Sequence, residues 1–158
     1  MATWTNKDGL PVNFGTDRAR LAKSGHSAVS AGGDIKTMVV KYTAGDPPSA
    51  TDIQHGGQAF IPAGASITRA VLSVDTAFAG GTSFDIGTYQ SNGTTVIDAD
   101  GIDAGVLLAA VNSTSDVVQC DGAQVGGAVG MTADAYIIIA ETGTFTAGEA
   151  TITIEYVL

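Results

Sequence analysis

Basic residues are missing from more than half of this 158-residue chain. All seven Lys and Arg residues lie in the first 69 positions, whereas residues 70–158 contain eleven acidic residues and no basic one. The net charge is −9. A surface this acidic repels a phosphate backbone, so we predict that the chain binds no nucleic acid.

Cysteine and long apolar runs are scarce too. The one cysteine, Cys120, permits neither an intramolecular disulfide nor a multi-cysteine zinc site, and we expect it to be a small buried apolar residue. The longest apolar stretches, Val106 to Val111 and Tyr136 to Ala140, are far shorter than the roughly 20 residues of a membrane span. Charged residues at the N-terminus take the place of a signal peptide's apolar core. We predict a soluble protein, made in a cytoplasm, that binds no membrane.

Sequence patterns of catalysis are also absent. The two histidines, His26 and His55, lie among Gly and Ser with no glutamate nearby, so acid–base catalysis has no paired group in the sequence. No serine stands in a Gly-x-Ser-x-Gly motif, and no glycine pattern forms a phosphate loop. We predict that the protein is not an enzyme and needs no cofactor.

The densest carboxylate group is Asp98-Ala99-Asp100-Gly101-Ile102-Asp103. Several oxygens on a tight turn are typical of a calcium loop. The spacing, however, differs from that of an EF-hand, and no glutamate closes the motif. We interpret the segment as a solvated acidic loop without a metal, with calcium binding as the alternative.

Glycine and period-two patterns are abundant. Glycine accounts for 21 residues and charged residues for 15%, a composition typical of β-proteins with many turns. In residues 66–78, Ala70, Leu72 and Val74 alternate with Ser73 and Asp75, which predicts a strand with one buried face. Further predicted strands cover residues 36–42, 58–61, 84–89, 94–97, 117–120, 135–141 and 150–156, with Asn92-Gly93 as a hairpin turn. Residues 104–111 are either a short helix or a buried strand.

These patterns predict an all-β protein, a β-sandwich of the jelly-roll type with an extended N-terminal arm. We place the arm at residues 1–34 and the sandwich at residues 35–158. The core is expected to contain Leu72, Val74, Phe84, Ile86, Ile137, Ile139, Ile152 and Ile154. The arm has four bases and three acids. Its Trp4, which we place off any strand, suits a pocket in a partner, with a plain intramolecular contact as the alternative.

Several short segments resemble small head proteins of tailed bacteriophages, in particular those of marine podoviruses. They are Asn6-Lys7-Asp8-Gly9-Leu10, Phe14-Gly15, Ala19-Arg20, Ile61-Pro62-Ala63-Gly64-Ala65, Phe84-Asp85-Ile86-Gly87-Thr88 and Asp98-Ala99-Asp100-Gly101. Those proteins resemble capsid decoration (cement) proteins, which bind the outside of the shell and stabilise it.

The resemblance implies a virion protein on the capsid surface, made in the host cytoplasm, with the major capsid protein and its own copies as partners. It implies a trimer on the particle and no catalytic residues. We expect the arm to make the contact with the capsid, through Trp4, Lys7, Arg18, Arg20 and Lys23. Two alternatives stay open: a carbohydrate- or receptor-binding β-sandwich with Tyr89 and Phe145 on its loops, and a small jelly-roll esterase or lyase.

Overall fold

Nine β-strands form nearly all the regular structure of the residues that the structure describes. A computed structural model describes residues 35–50, 59–127 and 130–158, together with the backbone of residues 2–5 and 11–14. The strands are β1 (Ala2–Thr5), β2 (Pro11–Phe14), β3 (Lys36–Thr43), β4 (Ser66–Gly80), β5 (Ser83–Tyr89), β6 (Val96–Leu107), β7 (Val117–Gln119), β8 (Tyr136–Thr142) and β9 (Phe145–Val157). Within these ranges no helix has the length and apolar composition of a membrane span.

The chain divides into two units, Met1–Asp34 and Ile35–Leu158. In the first unit, β1 and β2 pair antiparallel, with Trp4 opposite Val12. The prediction that Trp4 lies off any strand is therefore wrong. Each strand has only four residues, too few for period-two alternation to stand out. The dipeptide Asp8-Gly9, a strong hairpin-turn signal, stands between them and was the available clue.

In the second unit, two antiparallel sheets face each other. One has the strand order β3-β9-β4-β7 and the other β6-β5-β8. An isolated bridge between Ile61 and Ala135 adds a reduced strand beside β8. The second unit then has eight strand positions in chain order: β3, the bridge at Ile61, and β4 to β9. Numbered 1 to 8 in that order, they form sheets with the orders 1-8-3-6 and 2-7-4-5. This is the order of a jelly roll, so the predicted fold class is confirmed.

The core lies between the two sheets. All eight residues predicted to be inward-facing are buried, and Cys120 is buried as well. Four aromatic rings join the sheets at one end: Tyr42 and Phe78 come from one sheet and Phe84 from the other, and Phe145 packs edge-on against both Phe residues. Edge-to-face pairs of this kind contribute about 0.5–1.5 kcal/mol each beyond their buried area.

Three local predictions need correction. In the described part of the expected strand 58–61, only Ile61 pairs, because Pro62 follows and cannot donate to a ladder. Residues 104–111 are neither a helix nor one strand: they complete β6 and then form a 3₁₀ turn, Leu108–Ala110. Phe145 belongs to the core and not to a loop.

Candidate functional site

Of the five residues predicted to bind a partner, the structure places one. Trp4 lies in β1, and Lys7, Arg18, Arg20 and Lys23 fall outside the described residues. The two histidines fall outside them as well. The described residues that could bind a partner therefore lie mainly on the surface of the sandwich.

Positive charge on the sandwich is concentrated on one strand. Residues 35–158 contain three basic residues, and two of them, Lys36 and Lys41, lie on β3, which has no acidic residue. The third, Arg69, lies on the outer face of β4, where its Nε–H group donates to Gln119 at 3.4 Å. Thirteen acidic residues share the same unit. β3 is thus a basic strip on an acidic body.

β3 is also an open edge of its sheet. It pairs with β9 from Lys36 to Thr43 without a bulge, and no described strand lies on its other side. The backbone N–H group of Ala44 donates to the carbonyl oxygen of Gly148 at 2.9 Å, in the register of β3 and β9. Because hydrogen-bonded pairs alternate along an antiparallel ladder, the backbone groups of the even-numbered residues of β3 are the ones that bond to β9. The backbone N–H and C=O groups of Thr37, Val39 and Lys41 consequently point away from the sheet. Unpaired groups at this spacing are a template for an added strand.

The carboxylates of Asp98 and Asp100 lie on the opposite side of the sandwich. Tyr42 donates to Glu141 at 2.8 Å, which places β3 beside β8. At the other side Gly122 donates to Ile102 at 2.9 Å, which places the chain after β7 beside β6. The predicted acidic loop is in fact the body of β6, whose pairing with β5 is interrupted by irregularities. Burial raises the pKa of Asp98, and Asp100 raises it further.

Asp103, the third carboxylate of this segment, points into the protein. It is only 6% exposed and accepts hydrogen bonds from the Cys120 thiol and the backbone N–H groups of Asp121 and Ala104. Burial is the main cause that raises the pKa of Asp103, and the charge of Asp121 adds to it. Burial, then the carboxylate of Asp103, raises the pKa of Cys120 to about 12, so this thiol stays protonated and unreactive at neutral pH.

The described residues bring no three His, Cys, Asp or Glu side chains together as metal ligands. Asp98, Asp100 and Asp103 do not converge, because Asp103 is buried while Asp100 is exposed. A pocket of about 240 Å³ opens beside β6, lined by Ile97, Ala123, Gln124, Gly127, Gly130, Met131 and Thr132. None of these lining residues carries a titratable side chain, and Thr132 supplies the one hydroxyl group among them.

The raised carboxylate pKa values predict an unusual pH dependence. Asp98 and Asp103 have a higher pKa in the folded protein than the value of about 3.9 in an unfolded chain, so the folded state binds their protons more tightly. Their stabilising contribution is complete below the unfolded pKa and is lost as the pH rises through the folded pKa. We expect chemical denaturation to give a higher free energy of unfolding near pH 5 than at pH 7.

Asp103→Asn is the matched variant for this prediction. It keeps the shape of the side chain and removes the titration, so it should flatten the pH dependence. A wild-type stability that falls steadily from pH 7 to pH 5 contradicts the prediction.

The fold was compared with the folds of known proteins, and similar chains occur in phage capsids. No protein-family model and no curated protein matches the chain. Among solved structures, it resembles a chain of the cyanophage Pam1 capsid asymmetric unit at 18% identity and a TM-score of 0.53, over 89% of this chain and 94% of that one. The chain shares its fold with phage capsid chains.

Two further capsids contain similar chains. One is the capsid of Ralstonia phage GP4, at 15% identity and a TM-score of 0.54, over 78% of this chain and 84% of that one. The other is the acid-stable capsid of Helicobacter pylori bacteriophage KHP30, at 12% identity and a TM-score of 0.51, over 80% and 87%. At these identities the likeness is one of fold.

Proposed function

We propose that this chain is a structural protein of a phage particle, a decoration protein that binds the outer surface of the capsid and stabilises it. The observation that carries the proposal is the jelly roll shared with chains of three phage capsids, over 84–94% of the length of those chains. Such coverage on both sides means that the similar chains are about as small as this one. A small chain in a capsid is suited to an accessory position on the shell.

The chemistry of the described residues agrees with a role in binding. The buried thiol of Cys120 is held protonated, and the pocket beside β6 has no titratable lining. A decoration protein needs a rigid body, and the packed core between the two sheets is consistent with one. We infer that the protein is not an enzyme, that its partners are the major capsid protein and further copies of itself, and that it forms trimers on the particle.

The carbohydrate- or receptor-binding alternative loses part of its support. Sugar-binding sites use exposed aromatic rings, and the sequence offered Tyr89 and Phe145 for this purpose. Phe145 lies in the core against Phe78 and Phe84. Of these two rings only Tyr89, half-buried at the end of β5, stays accessible, and the exposed Phe60 is stacked against Tyr136 with its ring centroid 5.4 Å away.

Quantitative mass spectrometry of purified virions tests the proposal. In particles of the phage that encodes this chain, we expect a copy number comparable with that of the major capsid protein. Release of the chain by mild denaturant should leave closed but less heat-stable shells. Absence of the chain from virions, or a few copies per particle, would refute decoration. Cryo-electron microscopy of the same particles would determine the symmetry and test the trimer.

A further inference from the structure

We propose that copies of this chain bind one another head to tail, with the β3 edge of one copy against the Val96–Asp100 stretch of β6 in the next. The inference rests on the proposed assembly of several copies and specifies the surface that joins them. It follows from charge, exposed apolar side chains and the positions of the two strands in the jelly roll.

The first half of the interface is basic and ready for pairing. Eight residues of β3 run without a bulge or a proline, a length of about 26 Å. Val39 is 55% exposed at the centre of the strand, and Ile35, just before it, is 63% exposed. Lys41 lies on the same outward face as Val39. An edge of this length without a bulge is a template for pairing with another chain, and its lysines disfavour a second basic edge as the partner.

The second half is acidic. Asp98 and Asp100 lie two residues apart on β6, where burial, then a hydrogen bond between the two side chains and the charge of Asp100, raises the pKa of Asp98. Beside them Val96 is 50% exposed. A lysine from a neighbouring copy would relieve the repulsion between the two carboxylates. Seven large hydrophobic side chains are exposed in the described residues, and three of them lie at the two halves of the interface: Ile35 and Val39 at β3, and Val96 at β6.

The topology makes this contact head to tail. β3 lies beside β8 on one side of the sandwich, whereas β6 lies on the other side with the end of β7. Two different surfaces on opposite sides of one subunit give a heterologous contact, which forms a ring when the rotation closes. A symmetric contact between two β3 edges would instead bring the lysines of both copies together and leave the carboxylates unpaired.

Reciprocal charge reversal tests the pairing directly. Sedimentation of the full chain at low salt should detect self-association with a dissociation constant no weaker than about 1 mM. Lys41→Glu and Asp100→Lys should each weaken it about tenfold, because an attraction becomes a repulsion. An equimolar mixture of the two variants should associate again, since the new carboxylate on β3 of one copy then meets the new ammonium group on β6 of the other. Arg69→Glu is the matched control, with the same charge change away from both surfaces.

A second variant tests the strand edge. Val39→Pro removes a backbone N–H that has no partner in the described structure, so the monomer should keep its circular dichroism while association is lost. Wild-type protein that stays monomeric at about 1 mM overturns the interface. So does association that survives Lys41→Glu and Asp100→Lys unchanged. Association that Lys41→Glu strengthens and Asp100→Lys leaves unchanged would indicate the symmetric β3 contact, in which the lysines of the two copies repel each other. Virion mass spectrometry is independent of these results, so a wrong interface leaves the proposed function standing.

Discussion

Leu72→Ala is expected to destabilise the sandwich by about 2–5 kcal/mol. Leu72 lies in the middle of β4 with no exposed surface, between Ile152 of β9 and Val118 of β7. Truncation removes apolar contacts from both neighbouring strands and leaves a cavity that paired backbones cannot collapse to fill. Urea denaturation followed by circular dichroism measures the effect as a lower midpoint with an unchanged slope.

Val117→Ala is the control for this experiment. Val117 lies on β7 of the same sheet and is exposed, so its truncation should change the free energy of unfolding by no more than about 0.5 kcal/mol. Equal losses from the two variants would mean that the inward face of β4 is assigned wrongly. A large loss from Leu72→Ala alone would support the jelly-roll core.

The fold is predictable from sequence where one face of a strand is buried and the other is exposed to solvent. β4 and β9 meet this condition, because Leu72 and Ile152 alternate with Ser73 and Thr151 along their strands. β6 does not. Its residues 101–103 are buried in succession, since irregular pairing with β5 turns neighbouring side chains inward together. The Asp98–Asp103 segment therefore lacks the period-two pattern of a strand, and its cluster of carboxylates predicted a solvated loop instead.

Other features depend on contacts between residues far apart in sequence. Phe145 directly follows a turn, which suggests a loop residue, yet the fold places it against Phe78 and Phe84. Gly148 shows the same dependence: its φ is +141°, and a Cβ there would lie 2.1 Å from the ring of Phe78. No local pattern reveals either requirement, because both arise only when β9 pairs with β4 in the folded sheet.

The candidate surfaces show a similar division. The sequence alone locates the positive charge early in the chain and the negative charge late. It does not reveal that Lys41 and Asp100 occupy opposite sides of one sandwich, because that placement depends on the order of strands in two sheets. The sequence predicts β3 as a strand but does not reveal that this strand forms a basic edge of its sheet.

Deletion of residues 1–22 is expected to abolish binding to the particle and to leave the sandwich folded. The arm, residues 1–34, contains four bases against three acids, whereas the rest of the chain is strongly acidic. An acidic shell would repel an acidic sandwich at long range, and we expect the basic arm to bridge the two. The sandwich is a unit by itself from Ile35 onward, and the core residues that the structure describes lie within that unit. Co-sedimentation with stripped capsids measures the binding.

Charge reversal of Arg18 and Arg20 separates this hypothesis from its main competitor, an arm that folds back onto the acidic sandwich. If the arm is the adaptor, the double variant should bind capsids more weakly, and the difference should shrink at high salt, since exposed charges are screened over about 8–10 Å at physiological ionic strength. Its thermal stability should equal that of the wild type. If the arm instead belongs to the sandwich, deletion should lower the melting temperature while the folded fraction still binds. That result would end the arm hypothesis and transfer the capsid contact to the loops between strands.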